Sequence, residues 1–324
     1  MRRMNSLSML VGLLLVLGAC GGELGATAGL PIPPTSTTTT TNPPTTVEVQ
    51  DSVSVSEPAP QVLLSNGELV PLFEEFDHDN FGDPTTIDNS WLPMRPGTRM
   101  VYEGFTAEDG EVIPHRLVFT VTDLTKVIDG VESVVIWDLD FSDGELVETE
   151  LAFFAQDDSG NVWRMGEYPE EWEEGEFIEA PTWIAGVAKA RAGIAMSRSQ
   201  RLEAPSYSQG WGPAVDFSDR AFVYEIGTQT CVVFDCFRNV LVIDEFNDEE
   251  PGAHQLKYYA EDVGNIRVGW RGDDQSIEEL ELVEMIQLTP EELVKVREGA
   301  MILEERAYIL SEDVYGKTDR AQAP

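Results

Sequence analysis

From Leu69 to Leu288 the chain repeats one local pattern: short runs in which apolar and polar residues alternate, separated by Gly-containing turns. A period of two places alternate side chains on opposite faces of a strand, and tight Gly turns join such strands antiparallel. Leu117, Phe119 and Val121 share one face before the Asp129-Gly130 turn. Val131, Val135, Trp137, Leu139 and Phe141 share another before Asp143-Gly144. Val147, Leu151 and Phe153 follow, and Asp158-Ser159-Gly160-Asn161 then leads into Val162-Trp163. The pattern returns in Phe222 to Ile226, Val240 to Phe246, Leu256 to Ala260, Ile266 to Trp270 and Ile277 to Ile286, although Ile277-Glu278-Glu279-Leu280-Glu281-Leu282 also fits a helix. The whole predicts an all-β domain over 61–288, an antiparallel meander that forms a barrel or a strongly curved sheet.

One element breaks the pattern. Thr289-Pro290-Glu291-Glu292 combines an N-cap, a Pro at the first helical position and a capping-box Glu. A single C-terminal helix is therefore expected over 289–310, its apolar residues Leu293, Val296, Met301 and Leu303 docked on the sheet. Residues 311–324 are expected to fray.

The other end reads as an export signal. Met1-Arg2-Arg3 precedes an apolar run from Met9 to Leu17, which is followed by Leu17-Gly18-Ala19-Cys20. This combination of charge, apolar length, small residues and Cys resembles the lipobox of bacterial lipoproteins. The resemblance implies a signal peptide over 1–19, lipidation at Cys20, and a mature chain anchored to the outer face of the cell membrane, or to the outer membrane of a cell that has one. Two or more acyl chains, at ~0.8 kcal/mol per buried methylene, make such an anchor stable. Residues 20–60, with Pro31-Ile32-Pro33-Pro34, the Thr37 to Thr41 run and Pro43-Pro44-Thr45-Thr46, hold few large apolar side chains to offset their ordering entropy and are read as a disordered tether.

The formal net charge of −38 repels nucleic acid and excludes a nucleic-acid function. The acids are spread along the chain, as solubility or a salty medium would favour. Within the β region, Asp88-Asn89-Ser90-Trp91-Leu92-Pro93-Met94-Arg95-Pro96-Gly97-Thr98, Ala155-Gln156-Asp157, Gly160-Asn161-Val162-Trp163 and Lys257-Tyr258-Tyr259-Ala260 resemble an uncharacterised family of secreted bacterial proteins. The likeness spans about Phe73 to Ile286 and implies one continuous domain without assigning an activity. The strand pattern is also similar in architecture to lipocalin-like barrels and to the half-barrels of lipoprotein carriers.

Signs of catalysis are sparse. There is no G-x-S-x-G motif, and the three histidines, His78, His115 and His254, lie at no zinc-ligand spacing and are read as exposed or hydrogen-bonded. Asp77, Asp79, Gly82 and Asp88 fall at calcium-loop positions, but Phe81 stands where an oxygen ligand is needed; Asp138, Asp140 and Ser142 begin a second partial match that Asp143 breaks. Both are read as solvated turns. Glu167, Glu170, Glu171, Glu173, Glu174, Glu176 and Glu179 crowd one segment, read as a solvated acidic hairpin. No cofactor is expected.

Two further features bear on function. Between Trp183 and Arg201 the chain gathers Lys189, Arg191, Arg198 and Arg201 against its acidic background. Trp183, Lys189 and Arg191 are therefore the candidate contacts for an anionic or amphipathic small ligand or an envelope glycan, and pairing with neighbouring acids is the alternative. Cys231 and Cys236 are a candidate disulfide in an oxidising compartment. An extended path would hold their Cα atoms ~16 Å apart against the ~4.4–6.8 Å a bridge allows, so the bond requires a turn at Phe234-Asp235. The leading expectation is a noncatalytic, membrane-anchored binding or envelope module. The alternative is a surface hydrolase using paired carboxylates on glycans or esters.

Overall fold

The computed structural model describes residues 61–63, 69–108, 111–247, 252–272 and 276–324; the expected signal peptide, Cys20 and the whole of the expected tether lie outside them. Eleven strands carry the fold: β1 (Thr98–Glu108), β2 (Glu111–Ile128), β3 (Val131–Ser142), β4 (Glu145–Gln156), β5 (Val162–Glu173), β6 (Arg191–Met196), β7 (Arg220–Cys231), β8 (Cys236–Phe246), β9 (Ala253–Ala260), β10 (Gly264–Gly272) and β11 (Ser276–Gln287). All pairings are antiparallel, in the order β7-β8-β9-β10-β11-β1-β2-β3-β4-β5-β6, so the first long strand lies beside the last. A separate hairpin pairs Gln61–Leu63 with Leu69–Pro71.

The two ends of this sheet meet in one segment. Tyr207 and Ser208 pair with Ala221 and Arg220 of β7, while Gly210 and Trp211 pair with Ala192 and Arg191 of β6. The sheet is thereby a nearly closed barrel, with Tyr207–Trp211 as its seam. Gly210 makes the kink between the two pairings: its φ is +147°, and a Cβ there would lie 2.6 Å from the Trp183 ring. Only glycine meets both conditions.

Cross-strand register sorts the side chains by face, because directly opposed residues project to the same side. Val121, Ile136 and Ala152 are opposed in turn, and they pack with Leu241 and Ile243 from the far wall, which makes this the inner face. On the same face of β3 and β4 stand Asp138, Asp140, Glu148 and Glu150. Val131, Val135, Leu151 and Phe153 point outward and pack with Ala300, Leu303 and Ala307 of the helix α1 (Pro290–Leu310). Both faces of these strands are therefore covered, and the acids of the alternation look into the barrel.

Helix α1 begins as the sequence predicts, with a complete capping box between Thr289 and Glu292. It packs closely on the sheet at Gly299, where a Cβ would lie 2.3 Å from the Trp137 ring. Residues 311–324 correct the expectation of a frayed tail. Tyr315 is wholly buried against Tyr168, Gln322 bridges to Thr125 through both backbone groups, and Lys126 Nζ donates to the Asp319 carbonyl. The aromatic ring and the buried ammonium give this tail the anchoring that its sparse apolar content did not suggest.

Cys231 and Cys236 face each other across the β7–β8 hairpin and form a disulfide, their Cα atoms 4.0 Å apart, closer than the span expected from the sequence. The required turn is present: Val232 N–H donates to the Asp235 carbonyl at 2.9 Å.

Candidate functional site

The irregular segment before β1 lies along the barrel near the seam. Phe76 packs edge-on against Trp163 with ring centroids 5.0 Å apart and also contacts Phe81; Phe73 lies 5.3 Å from the Trp211 ring. These apolar anchors seat the polar residues between them. The Glu74 carboxylate accepts the Ser208 N–H at 2.9 Å, and the Asn80 carbonyl accepts the Asp158 N–H at 2.8 Å.

Between this segment, the β4–β5 turn and the seam is a recess of about 340 Å³, lined by Glu74, Glu75, Asn80, Asp157, Asn161 and Tyr207 among others, with Trp163 and Ile194 as apolar floor. Asp157 is held rigidly, accepting from Asn161 N, Asn161 Nδ2 and Trp163 Nε1 at 2.8 to 2.9 Å. Asn161 Oδ1 in turn accepts the Arg198 N–H at 3.0 Å. Burial raises the pKa of Glu74, opposed by the backbone N–H groups it accepts from. The buried Tyr207 hydroxyl has no hydrogen-bond partner among the described residues. Among the described residues, no Lys or Arg lines the recess.

A second polar region fills part of the barrel interior. Asp138 opposes Glu150, Asp140 opposes Glu148, and Glu148 opposes Glu171. Against these stand His115, Arg164 and Lys257: His115 lies 2.5 Å from Asp140 and 3.0 Å from Glu278, Arg164 is 3.3 Å from Glu167, and Lys257 is 2.8 Å from Glu245. Burial pushes Asp138, Glu148 and Glu150 well above the usual carboxylate range, and it raises Asp140 to about 6 against the pull of His115. Burial with Glu179 nearby raises Glu171 to about 7. For His115, burial alone would lower the pKa, but hydrogen bonds to Asp140 and Glu278 override it and hold the value at about 10.

The expected site residues land differently. Trp183 is 1% exposed and stacked on Phe217 with ring centroids 4.7 Å apart, so it supports the Gly210 kink and presents no open face to a ligand. Lys189 is exposed in a turn at positive φ. Arg191 is exposed and lies 4.7 Å over the Phe73 ring, beside the seam. None of the three lines the recess, although Ile194 and Ser197 from the same stretch do. The acidic hairpin is also corrected in part: Glu173, Glu174, Glu176 and Glu179 are exposed, but Glu167, Glu170 and Glu171 are buried because β5 is covered on both faces. Glu170 accepts from Arg306 of α1. Asp138 and Asp140 are likewise buried strand residues, where the sequence suggests a solvated turn.

The recess residues Glu74, Asn80, Asp157 and Tyr207 escaped the sequence reading. Asn161 reads as part of the Asp158-Ser159-Gly160-Asn161 turn and Asp157 only as part of the family-like Ala155-Gln156-Asp157 segment, and Glu74-Glu75 lies between two Phe residues in a stretch with no strand period. That aromatic bracketing was the available signal.

No family profile matches the chain, and no curated protein matches it. Among solved structures it is similar to a protein from Bacteroides fragilis, described as exported and with a YmcC-like fold, at 13% identity over 61% of this chain and 99% of that one, with a TM-score of 0.35. It is also similar to a protein from Parabacteroides distasonis described as a lipoprotein, at 12% identity over 61% of this chain and 100% of that one, with a TM-score of 0.29. At these scores neither likeness carries an argument about function.

Proposed function

We propose that this chain is a membrane-anchored, extracytoplasmic binding module whose recess receives an uncharged or amine-bearing glycan of the cell envelope. The observation that carries this reading is the recess itself: fixed carboxylate, amide and hydroxyl groups converge over an indole and an aliphatic side chain, with no cation among them. Such a lining suits hydroxyl-rich rings, which need oriented hydrogen bonds and an apolar surface. Three acids repel the anionic ligand that the basic stretch suggests. A paired-carboxylate hydrolase would need two carboxyls that are free to act across the recess; Asp157 is committed to three donors and Glu74 accepts from Ser208 N–H, which leaves Glu75. The Leu17 to Cys20 motif supports the anchor.

The test is capture of neutral, amino and uronic-acid oligosaccharides by the intact chain. Neutral or amino sugars should be retained, and Glu75→Gln combined with Asn80→Ala should weaken retention about tenfold, equivalent to ~1.4 kcal/mol. Equal retention by the variant, or preference for uronic acids, defeats the proposal; release of new reducing ends would favour the hydrolase. For the anchor, Cys20→Ala should leave the membrane fraction.

A further inference from the structure

The seam serves two regions at once. Tyr207, at its start, walls the recess, while Gln209, at its centre, reaches into the barrel. The Gln209 N–H donates to the Asp219 carbonyl at 2.8 Å, and its Nε2 donates to Glu245 Oε1 at 2.7 Å. Asp219 immediately precedes Arg220, the residue that pairs with Ser208, so a displacement of Asp219 acts directly on the seam pairing.

Asp219 is 2% exposed. Its Oδ2 has no hydrogen-bond partner among the described residues, and its Oδ1 receives a 3.4 Å contact from Asn247 Nδ2. The charged groups that face it are Arg164 from β5, close to Glu167, and Glu245 from β8, close to Lys257. Tyr207 and Tyr259 face Glu245 from the seam and from β9. A neutral Asp219 can rest beside Glu245 and Glu167 without repulsion. An ionised one is a buried charge that repels Glu245 and Glu167 and must share Arg164 with Glu167, and burial of that kind is costly unless the group moves toward water.

We propose that a proton on the Asp219 carboxyl keeps the seam shut, and that its loss in mildly alkaline solution loosens Tyr207–Trp211 and with it one wall of the recess. Only the second consequence rests on the recess being a binding site. Burial places the Asp219 titration at about 8, with Arg164 pulling it down and Glu245 and Glu167 adding to the rise. The seam is suited to respond, because it holds each neighbour by two adjacent residues where the β1–β2, β2–β3 and β3–β4 pairings run as long ladders.

Hydrogen–deuterium exchange on the intact, ligand-free chain tests this, with labelling times scaled for the intrinsic pH dependence of exchange. Peptides covering 207–211 should lose protection about tenfold between about pH 6.5 and about pH 9, while those from β2 to β4 keep more of theirs. Asp219→Asn should hold the seam equally protected at both values. Glu245→Gln, which keeps Asp219 but removes the neighbouring negative charge, should shift the loss to lower pH. Unchanged protection in the parent, the same loss in Asp219→Asn, or an unmoved midpoint in Glu245→Gln overturns the proposal. Glycan capture at about pH 6.5 is a separate readout: its failure removes the recess reading and leaves the seam result standing.

Discussion

Two buried ionic groups in this barrel are built on opposite terms. Under α1, Lys126 is enclosed, yet every direction around its ammonium is occupied: Glu304 Oε1 at 3.2 Å, the Tyr308 hydroxyl at 3.0 Å, the Asp319 carbonyl, and the Tyr315 ring at 4.3 Å. Inside the barrel, carboxyls face carboxyls, and Asp138 Oδ1 has no partner among the described residues. The first group ties the C-terminal segment to the wall through fixed bonds. The second holds more carboxyls than His115, Arg164 and Lys257 balance, so protons make up the difference and it answers to pH.

The sharpest way to break this comparison is to unbalance the paired group. Lys126→Met leaves Glu304 buried without its cation and should cost about 3–5 kcal/mol, read by denaturant unfolding. A loss below ~1 kcal/mol would show that the pairing does not hold the tail.

The barrel acids give the next effect. Asp140, Glu171 and Asp219 have folded pKa values raised to about 6, 7 and 8, so the folded state binds protons that the unfolded chain has released. Their stabilising contribution is complete below the unfolded carboxylate pKa, near 4, and is lost as pH rises through those values. His115, raised to about 10, acts in the same direction: its contribution is full below about 6.5 and lost as pH rises through about 10. The melting temperature should therefore fall on the order of 5–10 °C between about pH 5.5 and pH 8.5, and scanning calorimetry showing a rise would contradict the assignment. Two smaller changes touch neither group and serve as controls. Cys231→Ser with Cys236→Ser should cost about 2 kcal/mol in the chain-entropy account, and Thr289→Ala about 1 kcal/mol through the lost cap, each with an unchanged pH slope.

The legibility of these regions differed for physical reasons. The strands and the capped helix follow from local signals: alternation, Gly turns, and Thr289 with Glu292. Which face points inward does not follow. Val135 and Leu151 read as the core side, and they are buried, but under α1; Asp138, which reads as part of a solvated turn, is enclosed with Glu150 once the sheet curls. Period-two alternation reports two different faces without saying which lies outside a closed sheet. The seam was illegible because it is made of short pairings and a glycine kink, and the recess because its parts lie far apart in the chain, Glu74 accepting from Ser208. The basic stretch was a real anomaly of composition, but its Trp183 is internal packing.

The pairing of Thr98 with Gln287 has a consequence for the order of events in folding. β11 follows β1 with the paired Thr98 and Gln287 separated by 189 positions in sequence, so the barrel cannot close until all the intervening chain has been made, and the hairpins made meanwhile present open edges. Topologies dominated by such distant contacts fold slowly, in milliseconds to seconds for domains of simpler kind. The wait before closure, more than the stability of the finished barrel, is the interval in which this chain is most exposed to aggregation.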